Sequence, residues 1–594
     1  MFRLVLQGVE DSSPHVRDRV TSALKSSCGF QVVELDELLS QGPVVITTSQ
    51  DRSELITQYQ ALTSAGGKAL IVRAKERTPS FEHVREVQHK MRTVGELALI
   101  CERARMEGKR VVLVHGIFDL VHIGHIKLLN QAREHGELLV VTVVADAEVH
   151  RGPGNPFFKQ ELRVETLANL SVVDYVAVIP SESAVPAIEA FEPAVLVRGP
   201  RFENNNFDVR HEFHEAEELA MERVSGEVKV IESERIRTGE LINRFFETYP
   251  HETTRYLKQF ARKYTLDTIV QALEQVKNKR VLVIGDAIID QYHYCSALGK
   301  SAKESIVVNK SVKEESYIGG SIATANHVAQ LSGRTELLTV LGSNCSYEEF
   351  IRSKLDPAIV PHFIFRDNAP TTVKKRYVSK EQNAKLFEIC DLEDEPLRES
   401  EEMQLAAFLS ERIEEYDLVV VNDFGHGMIT PRIMRLICAR AKQLALNVQT
   451  NGANQGFNLV TNYERADFVC IDERELRLAT REKFNEVPSL MLRIAEALQC
   501  KQIVATRGAE GSVSFSSESG FVQTPAFATS SVDKIGAGDA FFAYTAPCYA
   551  AGLPQDLIAF IGNCVGSLKV QIVGNKEQVK ASSLIRFVDH LLKL

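Results

Sequence analysis

The stretch His115-Gly116-Ile117-Phe118-Asp119-Leu120-Val121-His122-Ile123-Gly124-His125 decides how the chain is read. Before it runs Val111-Val112-Leu113-Val114, an unbroken apolar segment of the kind that forms a buried parallel strand. After it, Ile126, Leu128 and Leu129 begin a helical pattern. Glycine and two closely spaced histidines therefore sit where a strand turns into a helix. Such turns are where α/β folds bind phosphates, because free backbone N–H groups and the positive helix end face the anion. Histidines placed there can donate hydrogen bonds to a triphosphate and follow its charge as it shifts during reaction. A lone loop histidine is usually a surface or capping residue. A spaced Gly-x-Phe-Asp-x-x-His-x-Gly-His across a strand–helix boundary instead predicts a site, since motif and context agree.

Composition narrows the field. The 594 residues suggest three or four domains, and 44% hydrophobic with 25% charged residues is ordinary globular material. A net charge of -10 argues against a broad basic footprint, so no nucleic-acid partner is expected and phosphate binding must be local. The 10 cysteines include no Cys-x-x-Cys pair, which disfavours a zinc ribbon or a thioredoxin-like site. Cys438, Cys470 and Cys564 lie in apolar runs and read as reduced core thiols of a cytoplasmic protein. Met1–Leu6 is too short an apolar run for a signal peptide, and no span has membrane length, so no membrane partner is expected.

Residues 1–90 predict a small α/β domain. Strands are expected at Phe2–Leu6, Phe30–Leu35, Val44–Ile46 and Leu70–Val72, with helices from Ser13-Pro14 to Lys25 and from Ser53 to Ala65. This region holds no nucleophile–base pair, metal cluster or phosphate loop, and Glu34 and Asp36 read as solvated charges. Docking or oligomerisation is the role expected of it, and a homo-oligomer is the assembly expected.

In residues 91–250, Arg92–Gly108 reads as an amphipathic helix. Strands are predicted at 111–114, 138–144 (ending in Asp146), 172–178, 195–199 and 228–231. His150–Pro156 is a basic, turn-rich loop, and Glu161–Asn169 a helix carrying Arg163. Alternation of this kind predicts a parallel sheet with ligands at its carboxyl edge, where His122, His125, Arg198 and Arg237-Thr238-Gly239 would converge. Glu247–Lys263 is either a linker or a linking helix.

The last region carries a second set of signals. A strand at Arg280–Ile284 enters Gly285-Asp286-Ala287-Ile288-Ile289-Asp290; Gly319-Gly320 opens a helix bearing Asn326. Strands ending at Asn422-Asp423, at Asp472 (before Glu475) and at Thr506-Arg507-Gly508 follow. The strongest element is Asp533-Lys534-Ile535-Gly536-Ala537-Gly538-Asp539. Its glycines let backbone N–H groups gather at a helix start as an anion hole for a migrating phosphoryl group. Asp539, one step inside, can take the proton of an attacking hydroxyl. The bland reading is a glycine turn with an aspartate favoured by the helix dipole. Gly-Asp-x-x-x-Asp, Gly-Gly and Thr-Arg-Gly upstream, in that order, favour the functional one.

The 115–125 stretch resembles the signature of the cytidylyltransferase-like nucleotidyltransferases. Over about Met91–Phe246 the chain is most similar to the adenylyltransferase half of the bifunctional ADP-heptose synthases. The resemblance implies that His122 and His125 bind the triphosphate as catalytic residues, with Gly116, Phe118, Asp119, Gly124, Arg198, Gly199 and Thr238 at the nucleotide. Arg198-Gly199 stands for the family's Lys-Gly, only Thr238 remains of its Ser-Thr-Thr, and His150 and Arg151 lie nearest the position of a missing lysine. Positive charge is kept and its geometry changed. A sugar-phosphate oxygen would attack the nucleotide α-phosphorus, with Mg²⁺ carried in by the triphosphate.

From about Leu266 onward the motifs resemble the ribokinase-like (PfkB) sugar kinases, again nearest the kinase half of the ADP-heptose synthases. That resemblance makes Asp539 the catalytic base and Gly536, Ala537 and Gly538 the anion hole. It places Asp290, Gly319 and Gly320 at the sugar, and Asp472 and Glu475 near Mg²⁺. Thr506 and Gly508 fall at the nucleotide phosphates, and Asn563 on the helix lining the adenine pocket. Asp472 replaces an asparagine of the family, His426 a lysine, and Lys534-Ile535 a pair of threonines. Lys374, Lys375 and Arg376 either meet a substrate phosphate or form a strand's solvated face. In the synthases the kinase usually comes first; here the order is reversed and an N-terminal unit is added.

The expectation is thus an α/β chain of three domains, 1–90, 91–250 and 264–594. It would phosphorylate a sugar or sugar phosphate with ATP and transfer a nucleotidyl group to the sugar 1-phosphate, releasing pyrophosphate. The alternatives are a different sugar or polyol with CTP as nucleotide donor, or one half silent as a nucleotide-binding scaffold. The partners expected are a small sugar phosphate and a nucleoside triphosphate.

Overall fold

The computed structural model describes residues 2–9, 13–28, 44–49, 51, 53–73, 87–149, 152, 154–199, 209–231, 249–381 and 384–593. The chain divides into two compact units, Met1–Met91 and Arg92–Leu594.

The first unit comprises β1 (Phe2–Val9), α1 (Pro14–Cys28), β2 (Val44–Ser49), α2 (Ser53–Ser64) and β3 (Gly67–Arg73). The strands form an antiparallel sheet in the order β2-β1-β3. Leu4 and Leu6 alternate onto one face of β1 and bury against Val20 and Leu24 of α1 and Leu55 and Leu62 of α2. The strand expected at Phe30–Leu35 lies outside the described residues.

The second unit opens with α3 (Val94–Met106), started by a reciprocal capping box between Thr93 and Glu96. There follow β4 (Val111–Gly116), α4 (Ile123–Arg133), β5 (Leu138–Val144), α5 (Gln160–Ala168), β6 (Tyr175–Ile179), α6 (Val185–Phe191), β7 (Val195–Arg198), α7 (Val209–Arg223) and β8 (Glu227–Val230). All five strands are parallel, in the order β6-β5-β4-β7-β8. The chain steps outward from β4 to β6 and then returns to β7 on the other side of β4. The carboxyl ends of β4 and β7 therefore flank a switch point, the place where open α/β sheets receive ligands. The third strand begins at Tyr175 and not at Val172, because Val173 N–H turns back to Leu170 O at 3.2 Å.

Of the stretch left open as linker or helix, His251–Lys263 is helical. In α8 (His251–Lys263) Leu257 and Phe260 are buried, and the Phe260 ring stacks on Phe560 with centroids 3.9 Å apart. Then come α9 (Leu266–Val276), β9 (Arg280–Gly285), β10 (Ala287–Lys300), β11 (Val307–Gly319), α10 (Gly320–Val328), β12 (Arg334–Asn344), α11 (Glu348–Lys354), β13 (Ile359–Pro370), β14 (Thr372–Ser379) and β15 (Lys385–Asp391). Next are α12 (Glu399–Arg412), β16 (Leu418–Asp423), α13 (Pro431–Arg440), β17 (Leu444–Val448), β18 (Phe468–Asp472), α14 (Glu473–Thr480), α15 (Val487–Ala497), β19 (Gln502–Thr506), β20 (Ser512–Ser516) and β21 (Gly520–Thr524). The chain closes with α16 (Ala537–Ala550), α17 (Gln555–Lys569) and α18 (Ala581–Leu592).

Nine strands make one sheet, β13-β12-β9-β16-β17-β18-β19-β20-β21, parallel through β19 and antiparallel beyond it. One face buries α8, α9, α10, α16, α17 and α18, including Phe542, Phe560 and Leu584. The other buries α12 to α15 through Leu405, Ile433, Leu476 and Leu490. Apolar residues on both faces explain why these strands read as continuous hydrophobic runs. A second sheet, β11-β10-β14-β15, rises from the carboxyl end of β9. No helix among the described residues is long and apolar enough to cross a membrane.

Candidate active sites

At the first switch point the chain leaves β4 at Gly116 and passes Phe118, which takes a left-handed φ of 53°. His122 caps α4: its Nδ1 accepts the Gly124 N–H at 3.1 Å. The His122 and His125 rings stack with centroids 4.0 Å apart, and Phe118 meets His125 edge-on at 5.2 Å. His122 Nε2 is buried and has no hydrogen-bond partner among the described residues. Burial holds the His122 pKa below the usual histidine value. A helix start, a stacked imidazole pair and an unanswered ring nitrogen make a place suited to an anion.

Beneath this turn lies a buried polar scaffold. Arg163 of α5 donates to the carbonyls of Phe158, Ile117 and Val144 and to Asp146 Oδ1 at 2.6 Å. Its side chain has no solvent exposure. Asp119, expected at the nucleotide, uses both oxygens to accept the N–H groups of Phe157 and Phe158 at 2.8 Å. His115 lies 2.8 Å from Thr142 Oγ1 and 3.2 Å from Glu182 O, and burial pushes its pKa down to about 4, so it is neutral. Arg198 ends β7 in an ion pair with Glu218 and lies 3.6 Å from Glu217. Gly199 follows it; Thr238, His150 and Arg151 lie outside the described residues.

The second switch point lies between β9 and β16, and the glycine turn faces it. Gly536 takes a φ of +75° at the start of α16, the left-handed region that favours glycine. Asp539, in the first turn, is 9% exposed and accepts from Gln449 Nε2 at 2.6 Å and from Asn422 Nδ2 at 3.2 Å. Burial raises the Asp539 pKa above the ordinary carboxylate value, against the pull of those two donors. Asn422 is fixed in turn by donating to Thr324 Oγ1 at 2.7 Å.

Across from Asp539, Asp290 of β10 forms a buried ion pair with Arg376 of β14, which also meets Glu388 at 2.8 Å. Asn575 Nδ2 reaches the other Asp290 oxygen at 3.4 Å. A Cβ on Gly319 would come within 2.6 Å of Asp290 Oδ2, so a side chain there would displace the carboxylate. Gly320 begins α10 beside it. Of the two readings left open for 374–376, a solvated face does not hold for Lys374 and Arg376, which are buried, with the Lys374 ammonium 5.6 Å from the Phe424 ring centre. Lys375, on the opposite face, pairs with Asp391 at 2.6 Å. Asn326 is also structural, bonded to Lys354 O and Asp356 N at 2.9 Å.

Asp472 and Thr506 are register partners at the ends of β18 and β19, and Gly508 follows Thr506. Asp472 and Glu475 form a capping box: Asp472 Oδ1 accepts Arg474 N–H at 2.8 Å and Glu475 Oε2 accepts Asp472 N–H at 3.1 Å. Glu475 Oε1 accepts Thr450 N–H at 3.0 Å, and burial pushes the Glu475 pKa up to about 7. No group of three or more His, Cys, Asp or Glu able to hold a metal ion occurs among the described residues. Asn563 is buried in α17, donating to Ser512 Oγ and Ala559 O at 2.7 and 2.8 Å. Sequence reasoning named Arg376 only as a possible phosphate contact and missed Gln449 and Lys569, which come from distant segments; a lone lysine in the apolar run 557–573 was the one available signal.

A doubly wound sheet, a β lid rising from its carboxyl edge and a carboxylate behind a glycine turn together define a ribokinase-like α/β protein. The family model for pfkB family carbohydrate kinases matches residues 278–581, more than half of the chain, and the chain belongs to that family. A cytidylyltransferase-like model matches residues 113–316, running past β8 into β11. The chain thus carries a carbohydrate-kinase region and a nucleotidyltransferase-like region.

Among curated relatives, the bifunctional protein HldE of Geobacter sulfurreducens is 41% identical over 121 residues, 20% of this chain and 24% of that one. HldE of Alcanivorax borkumensis is 35% identical over 26% of this chain and 31% of its own length. HldE of Bradyrhizobium diazoefficiens is 24% identical over 51% and 61%. Each of these matches spans less than two thirds of the relative. Among solved structures, Arabidopsis thaliana ribokinase with ribose and ATP is similar at 18% identity and a TM-score of 0.41, covering 53% of this chain and 99% of that one. Escherichia coli phosphofructokinase-2 in complex with substrates and products has 14% identity and a TM-score of 0.44 over 53% and 99%.

Proposed function

We propose that the chain is a bifunctional enzyme of nucleotide-activated sugar synthesis, with a nucleotidyltransferase over residues 91–250 and a sugar kinase over 264–594. The observation that carries the kinase reading is Asp539: a buried carboxylate with a raised pKa, at the positive end of α16, with the Asp290–Arg376 pair across the cleft. In this reading a sugar hydroxyl, oriented by Asp290, gives its proton to Asp539 as its oxygen attacks the γ-phosphorus of ATP. The bond between that phosphorus and the bridging oxygen breaks, and ADP leaves. N–H groups at the 536–538 turn hold the oxygens of the phosphoryl group in transit. A raised pKa brings Asp539 nearer neutrality, where a general base works best.

In the transferase reading, an oxygen of the sugar 1-phosphate attacks the nucleotide α-phosphorus and pyrophosphate leaves. His122, through its unanswered Nε2, and the stacked His125 bind the triphosphate and follow its growing charge. No covalent enzyme intermediate is needed, since positioning and charge stabilisation suffice. Mg²⁺ supplies neutralisation of the phosphate charge when bound with the nucleotide. Asp472 and Glu475 suit a supporting place beside it more than a cage, because their carboxylates already accept backbone N–H groups.

The substrate class proposed is a sugar or sugar phosphate of the heptose 7-phosphate type, with ATP as donor for both steps. The test is incubation with ATP or CTP and a panel of sugars, sugar phosphates and sugar 1-phosphates, with ADP and pyrophosphate measured separately. ADP with a kinase substrate and pyrophosphate with a sugar 1-phosphate support the reading. Failure to form either across the panel would refute it.

A further inference from the structure

Lys569, the last residue of α17, is fully buried. Its Nζ donates to Ile535 O at 3.1 Å and to Gly574 O. Ile535 is the residue just before the glycine turn, and a Cβ on Gly536 would lie 3.3 Å from Lys569 Cε. The lysine thus packs directly against the glycine turn, its ammonium bonded to the carbonyl that leads into it.

Carboxylates dominate its charged surroundings. Asp533, Asp539 and Asp290 all act on it as attracting carboxylates, and Lys385 opposes them. Lys385 is already paired with Asp533 at 2.6 Å. His327, from α10, feels Lys569 and is kept neutral by burial, its pKa near 3. A buried ammonium costs several kcal/mol in lost hydration and persists only where carbonyls and carboxylates answer it. Here two backbone carbonyls answer it directly, and three carboxylates lie near, of which Asp290 and Asp533 are already paired with Arg376 and Lys385.

We propose that Lys569 is a tethered cation of the kinase site, a positioning residue that holds residues 535–538 in their phosphate-receiving shape and offsets the charge of Asp539 and Asp290. It touches no reacting atom; it acts through the turn and through the two carboxylates. With the ammonium removed, the Ile535 and Gly574 carbonyls lose their shared donor. Asp539, which among the described residues has no ion-pair partner of its own as Asp290 has Arg376 and Asp533 has Lys385, loses the cation behind the turn. This inference rests on the kinase reading.

The experiment uses the full chain and a sugar that yields ADP with the wild type. Lys569→Ala is expected to lower kcat for ADP formation about 100-fold, the size seen when a preorganised donor is removed. KM for the nucleotide is expected to stay within about threefold, because the turn's other donors remain. The vacated space ends in two carbonyl oxygens, so ammonium chloride is expected to restore kcat about tenfold, short of the tethered group because a free ion is less well placed. Tetramethylammonium chloride at equal ionic strength is expected to restore nothing. Undiminished kcat, or a loss that ammonium does not relieve, overturns the inference. Wild-type protein that forms no ADP from any sugar removes the kinase reading instead.

A second variant keeps the test open if Lys569→Ala fails to fold. Burial pushes the Lys569 pKa down to about 8. ADP formation by the wild type is expected to fall as the ammonium loses its proton at alkaline pH, with nucleotide binding unchanged. Lys569→Arg, whose guanidinium stays charged, is expected to move that fall to higher pH. A fall left at the same pH contradicts the inference.

Discussion

Arg586 in α18 forms an ion pair with Glu182 in the loop after β6. The backbone carbonyl of the same Glu182 is bonded to His115, at the end of β4. Close by, Gly152 packs so tightly on Phe587 that a Cβ there would meet the ring at 2.1 Å. The last helix of the kinase region is therefore seated against the loops that support the first switch point.

Both members of that ion pair are mostly buried, with 16% and 12% of their side chains exposed. Arg586→Ala removes this mostly buried ion pair, an expected loss of about 1–3 kcal/mol. Thermal unfolding is the measurement, with a lowered Tm expected. Pyrophosphate and ADP formation below the new Tm are expected to persist, since neither residue touches a proposed substrate.

Arg163 spans the first site from beneath. Arg163→Met removes a fully buried guanidinium that donates to three carbonyls and to Asp146, leaving the Asp146 carboxylate, among the described residues, only the longer 3.9 Å contact with Lys159, at an expected cost of about 3–5 kcal/mol. The damage falls on Ile117 and Phe158, so pyrophosphate formation is expected to be lost at temperatures where ADP formation survives. Equal loss of both activities in folded protein contradicts the local role.

The acid side of the kinase step reports on Asp539. Its pKa is raised by burial and restrained by the donors Asn422 and Gln449. The ionised form is the base, so ADP formation is expected to fall as pH drops through that raised value. Gln449→Leu removes a donor to the charged form, raises the pKa further and moves the acid limb to higher pH. A limb that stays put, or moves to lower pH, contradicts the assignment.

Much of this was legible in the chain, for a physical reason. Strands buried on both faces, such as Val111–Val114 and Leu418–Val421, announce themselves as apolar runs, and the glycine turns mark where they end. The lid did not, because Lys310, Lys313 and Glu314 of β11 face solvent and its strands carry no continuous apolar pattern. Asp119 lies in the signature, yet its carboxylate holds backbone N–H groups, a duty no spacing reveals. Gln449, just past β17, bonds Asp539, and Lys569 of α17 bonds the turn before it; only the fold brings such distant segments together.

Arg376 fixes Asp290 through a buried ion pair. Arg376→Met is expected to raise KM for the sugar about tenfold and to change kcat less, because the loss falls on substrate orientation and not on the base. A lowered kcat with unchanged KM would place Arg376 at the transferring phosphate instead.

The central claim is that two independent phosphate-chemistry sites share one chain. Its most direct test measures ADP and pyrophosphate from the same preparations of Asp539→Asn and His122→Ala. Asp539→Asn is expected to abolish ADP formation while releasing pyrophosphate from a supplied sugar 1-phosphate at the wild-type rate, and His122→Ala to do the reverse. A folded variant of either kind that loses both products contradicts the claim.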